Sequence, residues 1–179
     1  MNARLTLKAR TAKAHDRVDE LFSRFDLGDE GDYRRFLTAQ AEAFLPVEAS
    51  LDAAGAETVI EDWAQRRRAR AILEDLETLG IPAPPREPCL LLPSPPAILG
   101  AAYVLEGSRL GGAILKKRVA AHMPRRFLDA DQGQGAWRKL LEKLERSLYE
   151  NGGVEAAVMA AGQVFERFEA AAGRHMKAG

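Results

Sequence analysis

The sequence predicts a single all-α domain, a multi-helix bundle, from three observations. Apolar side chains recur at spacings of three and four along most of the chain, no stretch alternates with the period of a strand, and glycine and proline fall between the periodic stretches. At 179 residues the chain suits one domain spanning 1–179, long enough to bury about two thirds of its unfolded surface. Hydrophobic residues make up 46% and charged residues 29%, a globular composition. With 26 basic and 26 acidic residues the formal net charge is zero, so bulk electrostatics favour neither nucleic acid nor an anionic membrane as a partner.

The first helix is expected over residues 3–25, with Leu7, Val18, Leu21, Phe22 and Phe25 at helical spacing. The polar turn DLGDEGD follows, and its Asp32 is expected to cap a second helix running to Ala54, kinked at Pro46. Thr58 is expected to open a third helix, VIEDWAQRRRARAILEDLETL, that Gly80 ends. Within it Arg66, Arg67, Arg68 and Arg70 lie at helical offsets from Glu61, Asp62, Glu74 and Asp75. This reads as a solvated face of ion pairs.

Residues 81–96 hold most of the prolines and form a connector within the domain. Pro96 opens a long apolar helix expected to reach His122, ahead of Pro124. The turn DADQGQG introduces a fifth helix, AWRKLLEKLERSLYE, and Gly152 with Gly153 separates it from a sixth, Val154 to Ala172. The tail GRHMKAG, with His175, is expected to fray. MNARLTLKART lacks the apolar run of a secretory signal, and no run reaches the roughly 20 apolar residues of a membrane span. The expected setting is cytoplasmic, which the lone Cys89 fits. No acid or histidine stands near Cys89 in sequence to activate it.

The fourth helix is unusual for carrying Gly100, Gly107, Gly111 and Gly112, although interior glycine costs roughly 0.5–1 kcal/mol relative to alanine. Gly100, Tyr103, Gly107, Gly111, Ile114 and Arg118 share one face, a trough that suits either close helix packing or a flat ligand. Lys116, Lys117 and Arg118 end it with three cations, suited to a flat ligand with carboxylates at one edge and equally to a helix carboxyl end. His15 is the other candidate. Asp19, one turn on, could accept the second N–H of a metal-ligating imidazole, although a lone helical histidine is more often structural. His122 and His175 lie at a helix end and in the tail. Glu-x-x-His pairs, GxxxxGK[ST], GxGxxG, HExxH and GxSxG are all absent.

On AKAHDRVDELF, YVLEGSRLGGAILKK, GAWRKLLEKL and VFERF, the chain resembles the bacterial haem oxygenases, in particular the branch tied to iron acquisition and bacteriophytochromes. The resemblance implies a haem oxygenase-like bundle in which haem is both cofactor and substrate. His15 would ligate the iron, with Asp19 in place of the usual glutamate as acceptor behind it. Gly107, Ser108, Gly111 and Gly112 would form the opposite wall, where backbone approaches iron-bound oxygen and ordered water supplies protons. Tyr103 would lie against the haem, and Arg118 and Lys117 would meet its propionates. A further cation expected at Ser23 is missing, with Arg24 beside it.

The implied reaction opens the porphyrin with O2 and external electrons, from a reductase or ferredoxin, to biliverdin, carbon monoxide and ferrous iron. The product would supply a bacteriophytochrome or release iron. The implied protein is a monomer or weak dimer. The alternative is an adaptor that keeps the haem and has lost turnover; a thiaminase-like hydrolase would need a partnered cysteine.

Overall fold

The backbone hydrogen bonds of nine α-helices account for most of the chain in a computed structural model that describes residues 2–130, 133–151 and 153–177. They are α1 (Ala3–Ser23), α2 (Glu30–Ala53), α3 (Ala56–Val59), α4 (Trp63–Arg66), α5 (Ala69–Thr78), α6 (Pro95–Leu115), α7 (Arg126–Asp129), α8 (Ala136–Asn151) and α9 (Val154–His175). No strand occurs among the described residues, so the fold is the all-α bundle the periodicity predicts.

α9 is the central post. It packs on α6, α1 and α2, and one continuous core runs through all of them, with Leu7, Phe36, Phe44, Leu99, Leu144 and Val164 almost wholly buried. Gly100 makes the closest of these contacts. A β-carbon there would stand 2.2 Å from the backbone oxygen of Ala157, so α6 and α9 touch main chain to main chain where only glycine fits. This end of the predicted trough is therefore helix packing.

Several boundaries depart from expectation because the groups that set them are distant in sequence. α2 begins earlier, capped by Asp29, whose carboxylate accepts the Asp32 N–H at 2.8 Å. It continues through Pro46, and Ser50 Oγ donates to the Pro46 carbonyl at 2.8 Å. The predicted third helix is instead α3, α4 and α5. Its last break falls at Arg67 and Arg68, where buried Glu48 of α2 accepts from the Arg68 and Ala69 N–H groups at 2.7 and 3.2 Å. Burial pushes the Glu48 carboxyl above its ordinary value, and these two N–H groups oppose that push.

Buried Asp75 caps α7, a helix the sequence reading omits, accepting from Arg126 N and Phe127 N at 3.1 and 2.9 Å. Ser94 caps α6, with Pro95 and Pro96 in its first turn; the helix ends at Leu115, and Lys116–Arg118 form a single 3-10 turn instead of continuing to His122. The segment Pro95–Arg118 is long and apolar enough to cross a bilayer by composition, but 56% of the 18-residue stretch that qualifies is buried inside the protein, as in a central core helix. In the turn before α8, Asp131 and Gln132 lie outside the described residues, as does Gly152 before α9.

The carboxyl end of α9 is anchored where fraying is expected. Arg174 and His175 both bond Glu42 of α2, and Lys177 reaches Asp32 at 3.3 Å. Burial raises the Glu42 carboxyl, but the hydrogen bonds from His175 and Arg174 outweigh burial and hold it below its ordinary value. That stabilisation is complete above the ordinary carboxylate range and is lost as pH falls through the lowered value. Glu42→Gln should accordingly flatten the acid limb of the stability profile between about pH 5 and pH 3, read by thermal unfolding across that range. Gly100→Ala should lower stability by about 3 kcal/mol, as overpacking does, seen as a fall of roughly 10 °C in Tm.

Candidate functional site

α1 and α6 both pack on α8 and α9 yet hardly touch one another. The result is a cleft with α9 as its floor. Arg10 of α1 pairs with Glu155 and Arg17 with Glu169, the latter at 3.2 Å; Pro96 of α6 lies beside Gly153, and Gly100 beside Ala157. Both walls therefore run in the same direction as α9. Counting forward along α6 sets Gly107 and Gly111 level with residues 164–168 of α9. His15 stands at that height, its ring edge-on to Phe165 with centroids 6.0 Å apart.

The His15 side chain is 57% exposed, and its Nδ1 lies 3.4 Å from Asp19 Oδ2 and 3.6 Å from Asp16 Oδ1. The shorter aspartate stands within ion-pair distance of the ring but beyond the ordinary N–H···O hydrogen-bond range. Nε2 has no partner among the described residues, so Nδ1 faces two carboxylates while Nε2 is available to a ligand. Among the described residues no three His, Cys, Asp or Glu side chains converge to cage a metal. A metal held in a macrocycle needs only one such axial imidazole.

On the facing wall the glycines divide into three environments. A β-carbon on Gly107 would sit 3.6 Å from Trp137 Cη2, one on Gly112 would sit 3.5 Å from Leu128 of α7, and one on Gly111 would meet nothing within 4 Å. The open turn is thus at Gly111, flanked by Leu110 and Ile114, which are 51% and 70% exposed. Tyr103 stacks on Trp137 with centroids 5.6 Å apart, and burial raises its hydroxyl pKa. Ser108 Oγ donates to the Leu105 carbonyl at 2.6 Å and accepts from Arg68 Nη2 at 2.8 Å.

The cationic end lies beside the α1–α2 loop: the Arg118 carbonyl is 3.8 Å from where a β-carbon on Gly28 would stand. Lys116 pairs with Asp129 at 3.4 Å. Lys117 and Arg118 are exposed and make no ion pair among the described residues. Arg24, nearby at the end of α1, is paired with Glu20 at 2.7 Å.

The sequence reading misses what lies behind α6. Arg66 and Arg68 are buried, contrary to the solvated face expected of them; only Arg67 and Arg70 of the cluster lie in solvent. The break between α4 and α5 turns these two side chains inward. Arg66 Nη1 donates to Glu106 Oε2 at 2.8 Å, its Nε and Nη2 grip Asp62, and Nη2 also donates to the Ala136 carbonyl at 2.8 Å. Arg109 Nε donates to the other Glu106 oxygen at 3.2 Å, and its Nη groups reach the carbonyls of Ala130 and Arg66. Burial works against the charge of Arg66, but Asp62 and Glu106 outweigh it and hold the pKa above the usual value.

Arg68 lies between the rings of Phe44 and Phe127, 4.8 and 4.7 Å from their centroids. Burial first, and the Arg109 cation second, push its pKa down to about 9, which leaves it charged at neutral pH. The available signal in the sequence is Glu106 with Arg109, two charges three residues apart within an otherwise apolar helix. Cys89 remains a structural thiol, its N–H donating to Ser50 Oγ at 2.8 Å.

Fold and cleft together define a class: an all-helical bundle that presents one imidazole across from an open glycine turn, with cations at one end. No protein-family model matches the chain. Over 117 residues, 59% of the chain and 67% of the relative, it is 36% identical to a haem oxygenase of Xanthomonas campestris pv. campestris. The structure also matches the haem oxygenase of Neisseria meningitidis, solved with NO and CO bound, with a TM-score of 0.80 over 98% of this chain and 92% of that one. At 24% identity that second likeness speaks to the fold. The chain belongs to the haem oxygenase family of enzymes.

Because Glu106 neutralises two buried guanidinium groups, Glu106→Ala should cost about 3–5 kcal/mol, the penalty for breaking a buried pair from one side. Denaturant unfolding checks this. Arg66→Ala with Glu106→Ala should cost clearly less than the sum of the single changes.

Proposed function

We propose that this chain binds haem in the cleft between α1 and α6 and cleaves it oxidatively to biliverdin, carbon monoxide and ferrous iron. The observation that carries this reading is His15: its Nε2 has no partner among the described residues and its Nδ1 faces Asp19 at 3.4 Å, level with the open turn at Gly111 in a member of the haem oxygenase family. Haem is the substrate and also supplies the iron at which oxygen is activated.

In this reading His15 Nε2 ligates the iron, and the Asp19 carboxylate accepts the Nδ1 proton, fixing the tautomer and strengthening the ligand. Gly107 and Gly111 let the α6 backbone approach the opposite haem face. Gly112 seats that turn against α7, and Ser108, fastened by Arg68, holds its hydroxyl on the Leu105 carbonyl. Tyr103 borders the ring, and Lys117 with Arg118 meets the propionates as charge-assisted donors. The one carboxylate on α6, Glu106, is committed to Arg66 and Arg109, so the protons arrive through water ordered by backbone groups. Electrons come from a separate reductase or ferredoxin, in a cytoplasmic setting that the unpaired Cys89 fits. The products serve a bacteriophytochrome or iron release, and the protein acts as a monomer or weak dimer.

Hemin titration followed by ascorbate in air tests the reading. A Soret band should form and give way to the biliverdin spectrum. A Soret band that persists overturns turnover and leaves a haem-binding adaptor, and no Soret band overturns the haem reading. His15→Ala should weaken hemin binding at least tenfold and alter the ferric ligand-field bands; unchanged bands would remove His15 from the iron.

A further inference from the structure

The cleft has two unlike ends. Lys117 and Arg118 close one, beside the loop at Gly28. Trp137 and Tyr103 stand at the other as a stacked aromatic pair, with the Arg4 cation of α1 acting on the Tyr103 hydroxyl. From Gly107 to Arg118 the helix and its terminal turn span roughly 17 Å, the length between the two ends.

Trp137, the second residue of α8, is packed against Tyr103 and Gly107 of α6. Two arginines that share one carboxylate bond Ala130 and Ala136, the latter the residue directly before Trp137. Arg109 Nη1 donates to the Ala130 carbonyl at 2.9 Å, and Arg66 Nη2 donates to the Ala136 carbonyl at 2.8 Å. Glu106 binds both guanidinium groups. Glu106 directly precedes Gly107 in α6, and a β-carbon on Gly107 would rest 3.6 Å from Trp137 Cη2. One turn of α6 thus ties down the start of α8 through the Arg66 bond to Ala136 and meets Trp137 directly, while Tyr103, one turn earlier, stacks on the indole. A wall built from this many constraints is suited to setting the position of a flat ligand, since positioning groups act through their own rigidity.

Resting on the haem reading above, we propose that Trp137 is a positioning residue that sets the in-plane rotation of the macrocycle. The propionate edge is drawn to Lys117 and Arg118, but two flexible, exposed cations tolerate a range of angles. The indole, fixed at the opposite end, stops the ring at one of them. That angle selects which meso edge lies under the Gly107–Gly111 backbone, and hence which carbon is oxidised. Trp137 touches neither the iron nor the oxygen in this role.

The test compares wild type, Trp137→Ala, Trp137→Phe and Trp137→Leu, each checked for folding by circular dichroism. Hemin is added, the ferric cyanide complex is examined by proton NMR for its shifted haem methyl resonances, and the biliverdin isomers formed with ascorbate are separated by chromatography. Wild type should show one dominant set of methyl resonances and one dominant isomer. Trp137→Ala and Trp137→Leu should show a second set and at least a tenfold rise in the minor isomer, with hemin affinity changed less than fivefold. Trp137→Phe, which restores an aromatic face, should return most of the wild-type pattern. If the folded Ala and Leu variants keep the wild-type resonances and isomer ratio, the proposal is overturned while the haem reading stands. A wild type that takes up no hemin overturns both.

Discussion

The carboxylate of Glu106 is the constraint on which the working half of this molecule depends. It lies in an apolar helix, 1% exposed, where an uncompensated charge would be very costly. Its partners Arg66 and Arg109 are themselves nearly out of solvent and also donate to the carbonyls of Ala136, Ala130 and Arg66, while Arg66 holds the Asp62 carboxylate as well. Buried ion pairs of this kind are weak sources of stability compared with apolar packing. Their value here is in placement, because α4, α6 and the start of α8 are joined by donors of set geometry.

The same logic recurs around the bundle. Glu48 caps α5 from α2, Asp75 caps α7 from α5, and Glu145 caps α1 from α8 through the N–H groups of Ala3 and Arg4 at 3.0 and 2.8 Å. A carboxylate at a helix amino end satisfies orphan donors and meets the positive end of the helix dipole. Each cap fixes where a helix starts and which helix it starts against, so short elements such as α5 and α7 hold their positions with little propensity of their own.

This explains what could be read in the sequence. α1, α2, α8 and α9 declare themselves through periodic apolar residues, and α6 through Pro96 and its long apolar run, all of which are local signals. The break at Arg67 and Arg68 is not local: the carboxylate that makes it lies 20 residues upstream in Glu48. Arg66 and Arg68 look like surface charges for the same reason, since their acceptors at Glu106, Leu105 and Ser108 are some 40 residues away. In the cleft, the pairing of His15 with Asp19 follows from helical spacing. The separate surroundings of Gly100, Gly107, Gly111 and Gly112 do not, because four identical residues on one helix meet an α9 backbone, an indole, open space and a leucine.

The main-chain contact at Gly100 carries a constraint on how such a chain varies. It clamps α6 to α9 at one point, and the open turn at Gly111 lies eleven residues further along the same rigid helix. One residue gained or lost between them would rotate Gly111 by about 100° and turn the open backbone away from His15. The segment between these glycines therefore behaves as a ruler: its composition has room to drift, but its length does not, and insertions have their natural outlet in the proline-rich connector that precedes α6.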